Sequence, residues 1–494
     1  MPSPVLSSAA MRAAEQTVFA RGLTAEALMD EAAAGIAATV SKFFPTPGKC
    51  VVFGGKGNNA GDAYAAAQIL HERGWQIEIR LVFEEDEGGD LAARKLKNLR
   101  NALRDSPGRD RRSPGSLIIL DGLLGLGARP PLREPVRAAC REINRLRREA
   151  HAYVFAVDLP SGLESDSGEA DVDCVVADFT VTIGFAKQGL VADGALNFVG
   201  RLEVIPLCEL ATEVSAPESI VADRASLRAL LPRRAFGTYK NQFGRIGLVA
   251  GSQGFTGAAL LCSLGALRAG GGLVELFVPK EVYPTIAAGA APEVMVKPIA
   301  SYASLADEPI DAWGIGPGLG RAHSSEILSL ITTIAQPMVV DADALNILSQ
   351  EMAVLDRCKG PRLLTPHPGE MKRLFPHEER SREETARKFC AAHRATLLLK
   401  GSRTIVAEAD LPISYNTTGS PGMATGGMGD VLTGVCTALI AQHLSPYDAA
   451  RVGAWLCGRA AEIAIFNGNA SEESLLPSDV LDHLGAAAND LRLP

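Results

Sequence analysis

Asn416–Gly434 reads N-T-T-G-S-P-G-M-A-T-G-G-M-G-D-V-L-T-G and runs on into an apolar-periodic segment ending near Leu444. Glycines at 426, 427 and 429 let consecutive backbone N–H groups converge, and a helix starting beside them adds the positive end of its dipole. Such a turn is an anion hole. An aspartate there is out of place unless its carboxylate faces a different group, and a base beside a phosphate site is what deprotonating an acceptor hydroxyl requires. Asp430 is therefore a candidate general base. The competing reading makes it part of an ordinary helix start, with the glycines serving turn geometry only.

The segments upstream have the same character. Leu397–Val406 reads L-L-L-K-G-S-R-T-I-V, a strand ending in Lys400-Gly401 that turns into a second strand. This would set Lys400, Ser402, Arg403 and Thr404 on the rim of a sheet, where nucleotide phosphates could be met, unless the hairpin is only a solvated surface turn. Leu364–Lys372 reads L-T-P-H-P-G-E-M-K, with two prolines fixing the backbone around His367 before a helix expected near Gly369. Gly254-Phe255-Thr256-Gly257-Ala258, Gly314–Gly320 (G-I-G-P-G-L-G) and Val339–Asn346 (V-V-D-A-D-A-L-N) each follow an apolar run, where open α/β sheets bind ligands.

Strand-like runs alternate with alanine-rich helical ones along the whole chain, which is the pattern of βα units on mostly parallel sheets. A first series comprises Cys50–Phe53, Ile77–Phe83, Leu117–Leu120, Val154–Val157 and Thr180–Ile183, preceded by a helix capped by Ser8 and a second helix over Ala27–Val40. A charge-rich stretch from Glu84 to Gly115 is expected to be solvated around one helix near Leu91–Leu103. A second series comprises Ile246–Ala250, Val274–Val278, Ala312–Ile315, Met338–Val340, Leu363–Leu364 and Leu397–Leu399. Periodicity lapses between Leu207 and Ala222, so the expected domains are 1–215 and 216–494. The fold class is α/β in both.

In the first half, Phe53–Asp62 reads F-G-G-K-G-N-N-A-G-D directly after a strand, again a glycine turn opening a helix. The spacing matches neither G-x-G-x-x-G nor the P-loop. Leu120–Gly127 reads L-D-G-L-L-G-L-G and Val157–Leu163 reads V-D-L-P-S-G-L. Asp121, Asp158, Asn59 and Ser161 are hard oxygen donors that could converge on one cation, or the aspartates could be turn formers only.

A chain of 494 residues with 47% apolar and 21% charged content is long enough for two or three cores. A net charge of -8 opposes a nucleic-acid partner. The nine cysteines are scattered and form no C-x-x-C pair, which fits reduced thiols in a cytoplasmic protein. No apolar run reaches membrane-spanning length and no signal-peptide pattern opens the chain, so no membrane association is expected.

Five segments together, G-G-K-G-N-N-A-G-D, V-D-L-P-S-G, T-I-G-F-A-K-Q-G-L, K-G-S-R-T and P-G-M-A-T-G-G-M-G-D-V-L-T-G, resemble the bifunctional NAD(P)H-hydrate repair enzymes over nearly the whole chain. The resemblance implies a Rossmann-like three-layer epimerase domain, 1–215, and a ribokinase-like dehydratase domain, 216–494. It implies that Asp430 is the base for phosphoryl transfer onto the (S)-hydrate of NADH or NADPH. ADP or ATP, with Mg²⁺, would bind at Lys400, Gly401, Ser402, Arg403, Thr404 and Gly429. The hydrate would bind at Ala258, Gly318, His367 and Asp430. In the epimerase, it implies substrate contacts from Asn58, Asn59, Ala60, Gly61 and Asp62, and from Gly125, Leu126, Gly127, Ala128, Arg129, Pro130 and Pro131. Asp158 would contact substrate and handle protons, K⁺ would take Asn59, Asp121 and Ser161, and the assembly would be a homo-oligomer. Lys187 lies in a matching motif. Ala60 and Ala63 depart from expected glycines, and Met428 from an expected small residue. A methyl at 60 requires a negative φ there.

Two other readings fit parts of the pattern. A small-alcohol kinase of the ribokinase-like superfamily would also use a glycine-rich loop and an aspartate base, but would release a stable phosphate ester. The first half could alternatively be a non-catalytic binding or oligomerisation module.

Overall fold

The structure, a computed structural model, describes residues 3–84, 87–105, 115–210, 217–376 and 381–493. Parts of the expected charge-rich stretch (85–86, 106–114) and of the expected interdomain segment (211–216) lie outside the described residues. Two compact units divide the chain, Ser3–Pro217 and Glu218–Pro494. No helix among the described residues is long and apolar enough to cross a membrane.

The first unit is built on a six-stranded, all-parallel sheet. Its spatial order is Gln76–Leu81, Lys49–Gly54, Leu117–Gly122, Tyr153–Val157, Phe179–Ile183, Arg201–Ile205. The central strands are apolar on both faces, as parallel strands covered by helices must be. Phe43, Phe155 and Phe179 fill one side, the last two stacked with ring centroids 4.4 Å apart. The first helix, Ser8–Ala20, is capped by Ser7, whose hydroxyl accepts from the Ala10 N–H at 3.2 Å. Ser8, the expected cap, lies inside the helix and bonds to Ser165 and Asp166 instead. The outer strand Arg201–Ile205 was not anticipated: only two of its five residues are buried, so its apolar pattern is weak.

In the second unit the sheet runs Val294–Ile299, Leu273–Pro279, Arg245–Val249, Ala312–Ile315, Met338–Val340, Arg362–Leu364, Thr396–Leu399, Ile405–Ala407, Ile413–Asn416, Ser219–Ala222. The first seven are parallel, and the hairpin from Thr396 to Ala407 is antiparallel with Leu399 opposite Ile405. Against this sheet packs the buried helix Met428–Ala441, which also approaches helix Thr256–Arg268 closely through glycines. A Cβ on Gly434 would stand 2.0 Å from the Cys262 carbonyl oxygen, and one on Gly265 would stand 2.7 Å from that of Val431. Only glycine permits that backbone contact.

In each sheet the strand order reverses once. Arg245–Val249 is followed to one side and Ala312–Ile315 lies on the other; Lys49–Gly54 and Leu117–Gly122 bear the same relation. Loops at the carboxyl ends of such a pair diverge and leave a crevice, the place where open α/β sheets take ligands.

Candidate active sites

In the second unit, the glycine turn opens helix Met428–Ala441 with Gly427 as N-cap at φ 96, a left-handed conformation. No side chain caps this helix, and its first-turn N–H groups have no intrahelical acceptor. Around Gly426 a Cβ would meet nothing within 4 Å, so the amides open onto free space. That combination has the chemistry to take an anion through peptide N–H groups.

Asp430 stands in the first turn, half-buried. Burial, then the negative charge of Asp341, push its carboxyl up to about 7 against the pull of Lys400, with Asp343 adding to the rise. Lys400 ends strand Thr396–Leu399, and its Nζ donates to Asp341 Oδ1 at 2.7 Å and lies 3.9 Å from Glu370 Oε2. Burial opposes its charge, but Asp341 and Glu370 outweigh that and raise its pKa. Asp341 is held from its other side by Thr433 Oγ1 at 2.8 Å. Gly429 sits beneath this pair, since a Cβ there would be 3.2 Å from Lys400 Nζ and 3.5 Å from Asp341 Oδ2. Asp430 and the lysine-bearing hairpin therefore come together at one place.

The remaining expected residues line neighbouring loops. Gly318, at φ 62, lies against Ala258, with 3.1 Å between its would-be Cβ and the Ala258 methyl, and its carbonyl accepts from Ser252 Oγ at 2.7 Å. Two residues on, the Gly320 N–H donates to Asp343 Oδ2 at 2.9 Å, tying this loop to the Asp341 turn. His367 caps helix Pro368–Leu374: its Nδ1 accepts from the Gly369 N–H at 2.9 Å while Glu370 Oε2 accepts from the His367 N–H at 2.8 Å. The Lys400 N–H donates to the Pro366 carbonyl at 2.8 Å, placing the histidine loop beside the lysine. In the hairpin turn Gly401 and Ser402 are exposed, and Thr404 Oγ1 donates to the Gly401 carbonyl at 3.1 Å. Arg403 takes φ 53, and burial with the neighbouring Arg382 pushes its guanidinium down to about 10. Asp341, Thr433 and Glu370 were not singled out from sequence; only Asp341's position at the end of an apolar run signalled it.

In the first unit, Gly57 opens helix Asn58–Glu72, again with no side-chain cap and nothing within 4 Å of a would-be Cβ. Asn58, Asn59, Ala60, Gly61 and Asp62 form the first turns of this helix. Ala60 and Ala63 are helical, buried and absent from the residues with positive φ, so neither methyl strains the backbone. Ala63 fits because Gly122 faces it: a Cβ on Gly122 would come within 2.6 Å of the Ala63 methyl. Met428 likewise begins its helix with negative φ and packs on the apolar core.

The four oxygen donors separate into two groups. Asp121 is fully buried and accepts from Ser161 Oγ at 2.7 Å and the Ser161 N–H at 2.9 Å. Ser161 Oγ also accepts from the Leu124 N–H at 3.0 Å, and Asn59 Nδ2 donates to the Leu124 carbonyl at 2.8 Å. Asp121, Ser161 and Asn59 thus meet around Leu124. Burial pushes Asp121 up to about 6, and among the described residues no cationic side chain contributes to its ionisation. Asp158, by contrast, pairs with Lys187, and it also faces Asp62. Burial, then Asp158 and Glu15, raise the Asp62 carboxyl well above its ordinary range. The loop Gly125–Pro131 borders the first group, since a Cβ on Gly125 would lie 3.2 Å from Asn59 Cβ, and it reaches Arg12, whose Nη2 would stand 2.7 Å from a Cβ on Gly127. Leu126, Ala128, Arg129, Pro130 and Pro131 complete it, with a cis bond between the prolines.

Comparison with known proteins finds matches to both units. A family described as NAD(P)H-hydrate dehydratase matches residues 246–484, and one described as YjeF-related protein N-terminus matches 25–189. The bifunctional NAD(P)H-hydrate repair enzyme Nnr of Moorella thermoacetica is 36% identical over 88% of this chain and 86% of its own. Its counterpart in Vibrio cholerae is 32% identical over 99% of both chains. Among solved structures, a Streptococcus mutans protein covers 56% of this chain at a TM-score of 0.50 and 23% identity, over 100% of its own length, a likeness of fold. On these matches, spanning both units, the chain belongs to the family of bifunctional NAD(P)H-hydrate repair enzymes.

Proposed function

We propose that residues 216–494 dehydrate the (S)-hydrate of NADH or NADPH at the expense of ADP or ATP, and that residues 1–215 interconvert the R and S hydrates. Membership of the family, carried by both halves, favours this over a small-alcohol kinase with a non-catalytic first half. The observation that carries the dehydratase assignment is Asp430 in the first turn of an uncapped helix, across from Lys400 held by Asp341.

Hydroxide is a poor leaving group from the hydrated ring, and phosphate is a better one. Asp430 takes the proton of the ring hydroxyl as that oxygen attacks the terminal phosphorus of the nucleotide. Amides from Gly426 to Gly429 and the Lys400 ammonium meet the charge that develops on the phosphoryl oxygens. The ring nitrogen's lone pair then expels phosphate, and loss of a proton from the adjacent carbon restores the dihydronicotinamide. Ala258, Gly318 and His367 border the hydrate, and Gly401 to Thr404 the nucleotide. Among the described residues no three His, Cys, Asp or Glu side chains are placed to hold one metal ion together. Mg²⁺ would therefore ride on the nucleotide's phosphates, supplying charge neutralisation, with one or two carboxylates such as Asp343 beside it.

In the epimerase half, Asp158 handles protons at the hydrated carbon, with Asn58–Asp62 and Gly125–Pro131 around the substrate. K⁺ suits Asn59, Asp121 and Ser161, since these offer oxygen donors and Asp121 is a fully buried carboxylate that no cationic side chain among the described residues balances. Bound there, K⁺ would supply that countercharge. Nine free cysteines support a reducing, cytoplasmic setting.

The test mixes both hydrate epimers with the full chain, ADP or ATP, and Mg²⁺, and follows the return of dihydronicotinamide absorbance together with release of orthophosphate. Complete conversion supports two working sites. A plateau at the S fraction removes the epimerase assignment, and a stable phosphate ester removes the dehydratase one.

A further inference from the structure

At the ends of strands Tyr153–Val157 and Phe179–Ile183 lies a lysine to which the reading above gives no task. Lys187 is only 1% exposed, and its ammonium protons have three acceptors: Asp158 Oδ1, Thr182 Oγ1 at 3.0 Å and the Ile183 carbonyl at 2.9 Å. A lysine buried and engaged in this way has no free donor or lone pair for a substrate. It cannot serve as the acid, the base or an amine nucleophile.

Its partner's hydrogen bonding is lopsided. Thr182 Oγ1 at 3.2 Å, the Ile183 N–H at 3.0 Å and Lys187 all donate to the same oxygen of Asp158, Oδ1. Among the described residues no donor reaches Oδ2. A free carboxylate turns about its terminal bond and exchanges its two oxygens, since that torsion is broad. Here the triple hold on Oδ1 fixes the plane. Asp158 also takes φ 66, a left-handed conformation that persists only where the surroundings enforce it and that gathers at functional positions.

We propose that Lys187 is a positioning residue for the epimerisation: by anchoring Oδ1 of Asp158 it presents Oδ2 to the hydrated carbon, without touching the substrate itself. The lysine also selects among acids. Glu15 from helix Ser8–Ala20 and Asp62 from helix Asn58–Glu72 face the same pair, and burial, foremost, raises both carboxyls. Of the three acids only Asp158 holds the ion pair. The inference rests on the epimerase reading of this unit.

The experiment uses the full chain and purified R-hydrate without nucleotide, and follows formation of the S epimer by chromatography. Lys187→Met, Asp158→Asn and the double variant are compared with the parent, with circular dichroism as the check on folding. Lys187→Met is expected to lower kcat by about 100-fold, the scale of a misplaced catalytic group, with KM changed by less than about threefold. A residue acting only through Asp158 adds nothing once Asp158 is gone, so the double variant should equal Asp158→Asn. A rise in KM at unchanged kcat, or a double variant at least tenfold below Asp158→Asn, overturns the proposal. Should Lys187→Met fail to fold, Asp158→Asn against the double variant, which removes both charges, still decides it by the same criterion. A parent that converts the hydrate no faster than the spontaneous reaction sinks the epimerase reading and this inference with it. An active parent matched by Lys187→Met sinks only the role of Lys187.

Discussion

The ionisation of Asp430 is where the dehydration mechanism can be broken most directly. Burial and the charge of Asp341 push this carboxyl up to about 7. Only its ionised form accepts a proton, so dehydration is full above that pH and falls as pH drops through it. With each pH unit worth ~1.36 kcal/mol, about half the sites hold the active base at pH 7 and about one in ten at pH 6. An aspartate at the ordinary value near 3.9 would leave the rate flat over that range. Asp341→Asn removes the like charge and frees Lys400 from its 2.7 Å ion pair. Both changes favour ionised Asp430, so the acid limb moves to lower pH. Asp341 Oδ2 stands 3.5 Å from where a Cβ on Gly429, the neighbour of Asp430, would lie. A unit charge roughly 7 Å away at an effective dielectric of about 20 is worth about 2 kcal/mol, or between one and two pH units. The assay is kcat/KM for (S)-hydrate dehydration from about pH 5 to about pH 9, which reports the free enzyme's base. A parental limb near 4, or an Asp341→Asn limb that stays put or moves up in a folded variant, refutes the argument.

Four further outcomes follow from the same geometry. Asp430→Asn should lower dehydration by ~10²–10⁴ while leaving R/S interconversion intact, read by running the two assays on one preparation. Gly427→Ala places a Cβ at φ 96, 2.7 Å from Leu261 Cδ1 and 3.0 Å from Pro477 Cγ, so its thermal midpoint should fall by the equivalent of at least about 1–2 kcal/mol. Gly122→Ala should cost about 1–3 kcal/mol by overpacking against Ala63, and adding Ala63→Gly should recover part of it in denaturant melts. Replacing K⁺ by Li⁺ should slow epimerisation and leave dehydration unaffected; equal rates in both salts would remove the cation from the Asp121 corner.

The parts of the fold legible from sequence are those whose information is local. Central strands such as Leu117–Gly122 and Ala312–Ile315 are apolar on both faces and bounded by glycine turns, so they announce themselves. The missed strands depend on distant partners: Ser219–Ala222 lies in a stretch without periodicity and becomes a strand because Ile413–Asn416, almost two hundred residues later, pairs with it. The helix beginning at Ser8 shows the same limit on a smaller scale, because two adjacent serines compete and a tertiary bond to Ser165 draws the second one away from the cap. In the sites, Asp430 and Lys400 stood out by their glycine neighbours. Asp121 meets Ser161 while Asp158 meets Lys187, and nothing in V-D-L-P-S-G-L tells which way the aspartate faces. That choice is made by Lys187, twenty-nine residues on.

One tension in the composition resolves at the level of the backbone. A chain of net charge -8 is a poor candidate for gripping polyanions with side chains, and the dehydratase cleft gathers Asp341, Asp343, Glu370 and Asp430 around one lysine. Yet both proposed substrates and the nucleotide carry phosphates. Two glycine-led helix starts without side-chain caps, at Gly57 and Gly427, would supply the missing attraction as peptide dipoles, which bring no full positive charge. A cluster of arginines in their place would hold phosphate as well, but would also pull the Asp430 carboxyl down and weaken it as a base. Binding the anion through amides while keeping the acids grouped would let one cleft hold a phosphate and a carboxyl poised near 7 at once, and on that reading glycine, rather than lysine or arginine, marks both sites in the sequence.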